Sequence, residues 1–282
     1  MALANSIWYF SLVFIGLIIF MFTYWNSNHF RKDLAVYFFA AGLSFIGEFV
    51  VLILLNSYHY YPHVFKEKWT DDIFGSLISQ GVIIPIVLMA IAAFRLKTKW
   101  VILIISLIAF IEELFLRLHI YEHNWWKTWY TIVLLLLAAY IMKWWRRKLN
   151  DPSTLIKFLT IYMLFTIILH TKTFLLLTVF KLSWYSVGLF ESVYKDHTIL
   201  KIIIDITMAI PLTAIVLFSY KYLTLIGLLV FLIIFDFVQI KMGFLHVVDY
   251  NVVIGIAFIK LFTVFIVKRT KDYLFPMEKD YI

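Results

Sequence analysis

Cysteine is absent from this 282-residue chain, which removes disulfide staples and thiolate chemistry and leaves the redox compartment unreadable. Five prolines and nine glycines leave little room for long linkers or a loop-rich second domain. Charge is scarce: Asp, Glu, Lys and Arg make up 15% of the residues, where a soluble domain carries about 25%. A glycine-rich phosphate loop, a Walker or Rossmann fingerprint and a Gly-x-Ser-x-Gly elbow are all missing. The loops on the basic side are short, which argues against nucleotide-driven work, and no cofactor is expected.

What fills the chain is apolar. Hydrophobic residues reach 63% and aromatic residues 20%, with a mean hydropathy of +0.92. They fall in runs of about 18–23 residues, the length a helix needs to cross a hydrocarbon core. In lipid every backbone group must be satisfied internally, and barrel-type alternation is lacking, so the expected fold is an all-α, polytopic transmembrane helix bundle. Nine spans are expected, at 7–25, 34–55, 73–94, 100–118, 128–145, 158–180, 202–219, 222–240 and 250–267. The apolar stretch at the N-terminus lacks a basic region and a small-residue cleavage site, so it reads as a retained span.

Net charge is +8, and the basic residues stand at span ends as topogenic signals. Loops after odd-numbered spans hold Arg31, Lys32, Arg95, Lys97, Lys99, Lys143, Arg146, Arg147, Lys148, Lys157, Lys221, Lys268, Arg269, Lys271 and Lys279. The opposite loops hold Lys66, Lys68, Arg117, Lys127, Lys181, Lys195, Lys201 and Lys241, nearly balanced by acids. The positive-inside rule therefore predicts a cell-membrane protein with its N-terminus outside and its C-terminus in the cytoplasm. The lipid bilayer is the expected partner, with other membrane proteins as further candidates. Nucleic acid is not expected, because no basic patch lies on a polar domain.

Spans two to five and six to nine read as copies of one unit. Pro85 pairs with Pro211, Glu112 with Asp236, Arg117 with Lys241 and Glu48 with His170, at sequence offsets of 126, 124, 124 and 122. The predicted organisation is one span (1–26), a four-span unit (27–150), a second such unit (151–270) and a cytoplasmic tail (271–282). Each unit has an even number of spans, so the copies would share orientation, a parallel repeat about an axis along the membrane normal. Tyr61-Pro62, an acid at Glu112 or Glu113, and Tyr121…Trp125-Trp126…Trp129-Tyr130 before the basic Lys143–Lys148 end carry a resemblance. On these residues, positions 24–148 resemble a family of uncharacterised small integral membrane proteins from endospore-forming Firmicutes, whose members look like one four-span unit. The resemblance covers under half of the chain and implies a Gram-positive bacterial source and the topology. It brings no activity. The second unit departs from it, with Asp249-Tyr250 near the tryptophan-pair position and no Tyr-Pro before span seven.

Function is sought where ionisable groups interrupt the apolar runs: Glu48, Glu112, Glu113, Asp205, Asp236, His170, Lys172 and Lys260. A charge at a helix centre costs about 2.5–3.5 kcal/mol on the insertion scale, so each should face the bundle interior, pair, or line a wet cavity. Alternating span direction places the acids within about two turns of the outer end. His170 and Lys260 lie deeper, which predicts an outward-opening acidic cavity with Lys260 as its floor. Asp236 is the expected partner of Lys260. Asp205 also reads simply as an i, i+4 partner of Lys201. His119 and His123 have the i, i+4 spacing of helical metal ligands but would need a third ligand from another loop. The competing reading of their surroundings is an interfacial aromatic belt formed by Tyr58, Tyr60, Tyr61, Trp125, Trp126, Trp129 and Tyr130. Pro85 and Pro211 are expected to kink their helices and free carbonyls.

Three functional readings follow. One is a small-solute or ion transporter whose substrate or proton contacts are Glu48, Glu112, Glu113, His170, Asp236 and Lys260. Another is a non-catalytic membrane sensor, sporulation-associated protein or assembly component, in which these residues lock helices together. The third is a membrane-embedded enzyme acting on a lipid-linked substrate, with Glu112 or Glu113 and His119 or His123 as the acid–base groups.

Overall fold

The computed structural model describes residues 2–175 and 180–276. Among them the chain is all-α, with nine long helices and two minute antiparallel ribbons. The helices are α1 (Ala2–Asn26), α2 (Phe30–Leu54), α3 (Lys68–Ala93), α4 (Thr98–Arg117), α5 (Thr128–Lys148), α6 (Thr154–Phe174), α7 (Val193–Phe218), α8 (Tyr222–Lys241) and α9 (Tyr250–Leu274). Eight of these are long and apolar enough to cross a membrane. The other, α4, is long enough but carries Lys99, Glu112, Glu113 and Arg117. Large apolar side chains such as Phe14, Phe22, Leu103, Phe110, Phe231 and Phe262 stay exposed along the helices. In water a surface of this kind would be a severe association hazard; facing acyl chains it is the expected exterior of a multi-pass membrane protein.

Contacts divide the chain into two compact units, Met1–Ile156 and Lys157–Ile282. In the first unit α3 packs against α1, α2 and α5, and α4 against α5. The first helix belongs here: the Tyr9 hydroxyl donates to the Ile120 carbonyl at 2.7 Å, and Gly16 leaves room for Ile83. One end of the unit is closed by a polar knot. Arg146 of α5 donates from Nε to Asp33 of α2 at 2.6 Å, the Ser27 hydroxyl donates to the same carboxylate, and Lys32 reaches Asn150 at 2.9 Å. The other end is closed by strand β1 (Tyr58–Tyr60) pairing with β2 (Tyr121–His123), Tyr58 opposite His123. Gly75 of α3 is required beneath β1, because a Cβ there would stand 2.4 Å from Tyr60 Cβ.

Two helices of this unit are locally underwound into wider turns. Residues Phe49–Leu54 of α2 and Leu77–Ile83 of α3 are π-helical, a form that accommodates an extra residue and recurs at functional sites. The stretch in α3 ends just before Pro85, which has no N–H for the Gly81 carbonyl four residues back. The Tyr37 hydroxyl donates to that carbonyl at 2.9 Å. Pro211 instead sits inside a helix that is α-helical throughout, so the two prolines act differently.

In the second unit α9 packs against α7 and α8, and β3 (Ser183–Tyr185) pairs with β4 (Leu245–Val247), Ser183 opposite Val247. Its local geometry reproduces that of the first unit. Tyr162 donates to the Ile206 carbonyl as Tyr37 does to Gly81. Asp196 accepts from the backbone N–H groups of Val187, Gly188 and Leu189, as Asp71 accepts from His63, Val64 and Phe65. His197 accepts from Tyr185 N at 2.7 Å, as Asp72 accepts from Tyr60 N at 2.8 Å. Left-handed residues also coincide, Asn56 with Lys181, His63 with Gly188 and His119 with Gly243.

Three expectations need correction. Helix α7 begins at Val193, capped by Ser192, and not at 202. The charges of its first turns had made that segment look like a loop, and Asp205 consequently lies some three turns inside the helix, deeper than predicted. Helix α3 likewise begins at Lys68, where the Glu67 carboxylate accepts from Trp69 N and Thr70 N. The correspondence of Tyr37 with Tyr162 carries Glu48 to the Lys172–Thr173 position and not to His170. The predicted end of span six falls partly on 176–179, outside the described residues.

Candidate functional site

Glu48 is the last regular α-helical residue of α2 before the π-helical turn and is only 7% exposed. Its carboxylate is held from two elements. The Tyr58 hydroxyl of β1 donates to one oxygen, and the Ser76 hydroxyl of α3 donates to the other at 2.7 Å. Glu112 of α4 accepts from the Thr131 hydroxyl of α5 at 3.2 Å and lies 2.9 Å from His123 Nε2. Both acids line one cavity of about 320 Å³, at the lower end of the range for small-molecule sites, about 300–1,000 Å³.

The walls of this cavity sort by element. From α1 comes Tyr9; from the ribbon come Tyr58, Tyr60 and Tyr121; from the π-helical stretch of α3 come Ser79, Gln80 and Ile83; and Trp126 follows β2. The rest of the lining is largely carbon, including Leu88, Leu135 and Met142. The aromatic rings form one cluster, with centroids 4.9 Å apart for Tyr60 and Tyr121 and 5.4 Å for both Tyr58–Tyr121 and Tyr58–Trp126. Burial pushes the Tyr58, Tyr60 and Tyr121 phenols well above their ordinary value, and the charge of Glu48 adds to the shift. They are therefore neutral donors at any physiological pH. Behind them His59 Nδ1 lies 2.6 Å from Asp72, whose other oxygen receives Tyr60 N, so the strand is fastened to α3.

The structure separates residues that the sequence had grouped. Glu113, beside Glu112 but on another face of α4, accepts from Thr128 at 2.6 Å and borders a different groove with Arg117. Lys260, expected as the floor, is not among the residues that line the Glu48–Glu112 cavity, and among the described residues no Lys, Arg or His lines it. Lys260 belongs to the second unit, where its ammonium donates to both oxygens of Asp236 at 2.7 and 2.6 Å, the pairing expected from sequence. Lys201 pairs with Asp205 along α7, and His170 and Lys172 lie close to both. Lys172 Nζ is buried and has no hydrogen-bond partner among the described residues. Also among the described residues, no group of three His, Asp or Glu side chains is placed to hold a metal ion. His119 takes up a left-handed turn conformation, and His123 is engaged with Glu112.

Sequence reasoning missed the aromatic lining. Tyr58, Tyr60 and Trp126 had been assigned to an interfacial belt together with Trp125 and Trp129, but the first three are buried while Trp125 and Trp129 are exposed. The available signal was the period-two spacing of Tyr58 and Tyr60 across His59, which is that of a strand with one covered face. The arrangement places two carboxyl groups, neutral phenol donors and aromatic rings around a mainly apolar cavity within a multi-pass membrane protein. Searches of known protein families, curated proteins and solved structures returned no match to the chain.

Proposed function

We propose that this protein is a small-solute or ion transporter that crosses the membrane nine times and binds its substrate in the Glu48–Glu112 cavity. The observation that carries the reading is the cavity itself. It is a mainly apolar cavity with two carboxyl groups, lined by several helices of one bundle, beside two π-helical stretches and a proline, where the backbone departs from regular hydrogen bonding. Such interruptions in membrane helices are tolerated where the backbone lines a cavity or is re-satisfied by neighbours. The basic helix ends support a cytoplasmic C-terminus, with the aromatic ribbons and the cavity on the outer side. The matched hydrogen bonds, strand registers and left-handed turns support descent of α2–α5 and α6–α9 from one four-span unit. The likeness of residues 24–148 to the endospore-former family supports the same unit.

The ion pairs of the second unit favour a second reading for that half, a helix-locking scaffold of the kind a sensor or assembly component uses. The Glu112–His123 pair is what an embedded enzyme on a lipid-linked substrate would use. Proteoliposomes containing the purified chain and an internal pH dye separate the readings, when challenged with organic ammonium ions, amino acids, sugars and inorganic cations. Transport predicts a solute-dependent signal that Glu48→Gln and Glu112→Gln each reduce at least about tenfold while Glu113→Gln leaves it intact. No signal from any class, with the protein correctly inserted, overturns it.

A further inference from the structure

We propose that the Glu48–Glu112 cavity selects a monovalent organic ammonium ion that carries an apolar group. The inference deepens the transporter reading and rests on it for its biological meaning, although binding alone tests it. Charge comes first. Two carboxyl side chains line the cavity and, among the described residues, no cationic side chain does. Among the same residues Glu48 is held by hydroxyl donors, and the basic group on Glu112 is His123, approaching from the rim strand. In the second unit, by contrast, Asp236 is matched by Lys260 and Asp205 by Lys201. At these intramembrane acids the second unit supplies lysines, whereas the first offers hydroxyls to Glu48 and leaves the place of a cation to a ligand. Anions and zwitterions with a buried carboxylate are disfavoured by the same count.

The walls then decide which cation. A hard inorganic ion needs about six oxygen ligands around it. Here Glu48, Glu112, Ser79 and Gln80 bring oxygens to the lining, but most of the lining is carbon. A substituted ammonium uses both kinds of surface. Its charge is spread over carbon-bound hydrogens, it is weakly hydrated, and it is attracted to aromatic faces within about 6 Å. Tyr58, Tyr60, Tyr121 and Trp126 supply those faces as one contiguous cluster. The apolar floor at Leu88, Leu135 and Met142 has no use for a charge but accommodates a hydrocarbon substituent.

Calorimetry on the full chain in lipid nanodiscs tests this with defined probes. Benzyltrimethylammonium should bind, and (2-hydroxyethyl)trimethylammonium more weakly. The neutral carbon isostere of the latter, 3,3-dimethylbutan-1-ol, should be at least about tenfold weaker than its charged counterpart. Glu48→Gln should weaken benzyltrimethylammonium at least about tenfold, and Glu113→Gln should leave it unchanged. Equal binding of the charged and neutral isosteres overturns the proposal, and that comparison needs no variant. Full displacement by an equal concentration of sodium chloride overturns it too. Binding of the cation without flux in proteoliposomes leaves the ligand assignment standing and removes transport; flux of another solute without cation binding does the reverse.

Discussion

Lys260 and Asp236 are a mid-helix lysine and a buried aspartate, with side chains only 12% and 2% exposed, and each makes the other tolerable. Removing one partner of such a pair strands a buried charge, which costs about 3–5 kcal/mol, whereas removing both can be nearly neutral. Lys260→Met and Asp236→Asn should each lower the thermal unfolding temperature in detergent more than the double variant does; additive losses in that cycle would count against the pairing. The tyrosines give a pH prediction. Their raised phenol values mean that stability is intact below the ordinary value of about 10 and falls as pH rises through it, because the unfolded chain ionises first. Tyrosinate absorbance from Tyr58, Tyr60 and Tyr121 should therefore appear together with the loss of helical circular dichroism, not ahead of it. The lysine was legible in the sequence because a charge amid apolar residues is conspicuous. The tyrosines were not, since the same residue types at a helix end serve equally as a lipid-interface belt, and only the ribbon turns them inward.

At the scale of elements, the cavity depends on the fit of the ribbon over α3 and on the winding of α2 and α3. Gly75→Ala sets a methyl group against Tyr60 and must lift β1 away from the helix, taking the Tyr58 hydroxyl from Glu48. The expected outcome is an inserted protein that loses ligand binding at least about tenfold, a size consistent with one lost charge-assisted hydrogen bond. Wild-type affinity in that variant would show that the ribbon does not shape the site. Deleting one residue within Leu77–Ile83 should let α3 close into regular α-helix while the flanking turns keep their facing, because the wide turn absorbs the extra residue. Ser79 and Gln80, inside the stretch, would then shift from the cavity wall; retained binding would argue against a role for the wide turns. Long apolar helices and their order along the chain were readable from hydropathy alone. The π-helical turns were not, because a wider turn has no compositional signature, and the true start of α7 was hidden behind Lys195, Asp196 and Lys201.

For the whole molecule, the absence of cysteine is an experimental advantage: single cysteines can be placed on a native background. If the basic ends face the cytoplasm, Lys66→Cys and Glu191→Cys should react with an impermeant maleimide on intact cells, and Lys97→Cys and Lys221→Cys only after permeabilisation. The reverse pattern would invert the topology and with it the side to which the cavity belongs. The proposed repeat could be sought in the sequence because intramembrane acids and prolines are rare enough to serve as markers. The different chemistry of the units was not legible, since it depends on which acid meets which lysine across helices.

The Asp33–Arg146 knot, with Ser27 and Lys32–Asn150 around it, lies at the opposite end of the first unit from the ribbon. It ties α2, α5 and the turn after α1 at a single level. The ribbon closes the other end, so α2 is held twice: at Asp33 and, fifteen residues or about 22 Å further along, at Glu48, which the Tyr58 and Ser76 hydroxyls fix. In the transport proposed above, entry of a substrate beside Glu48 would have to loosen the ribbon end while the basic end stays tied.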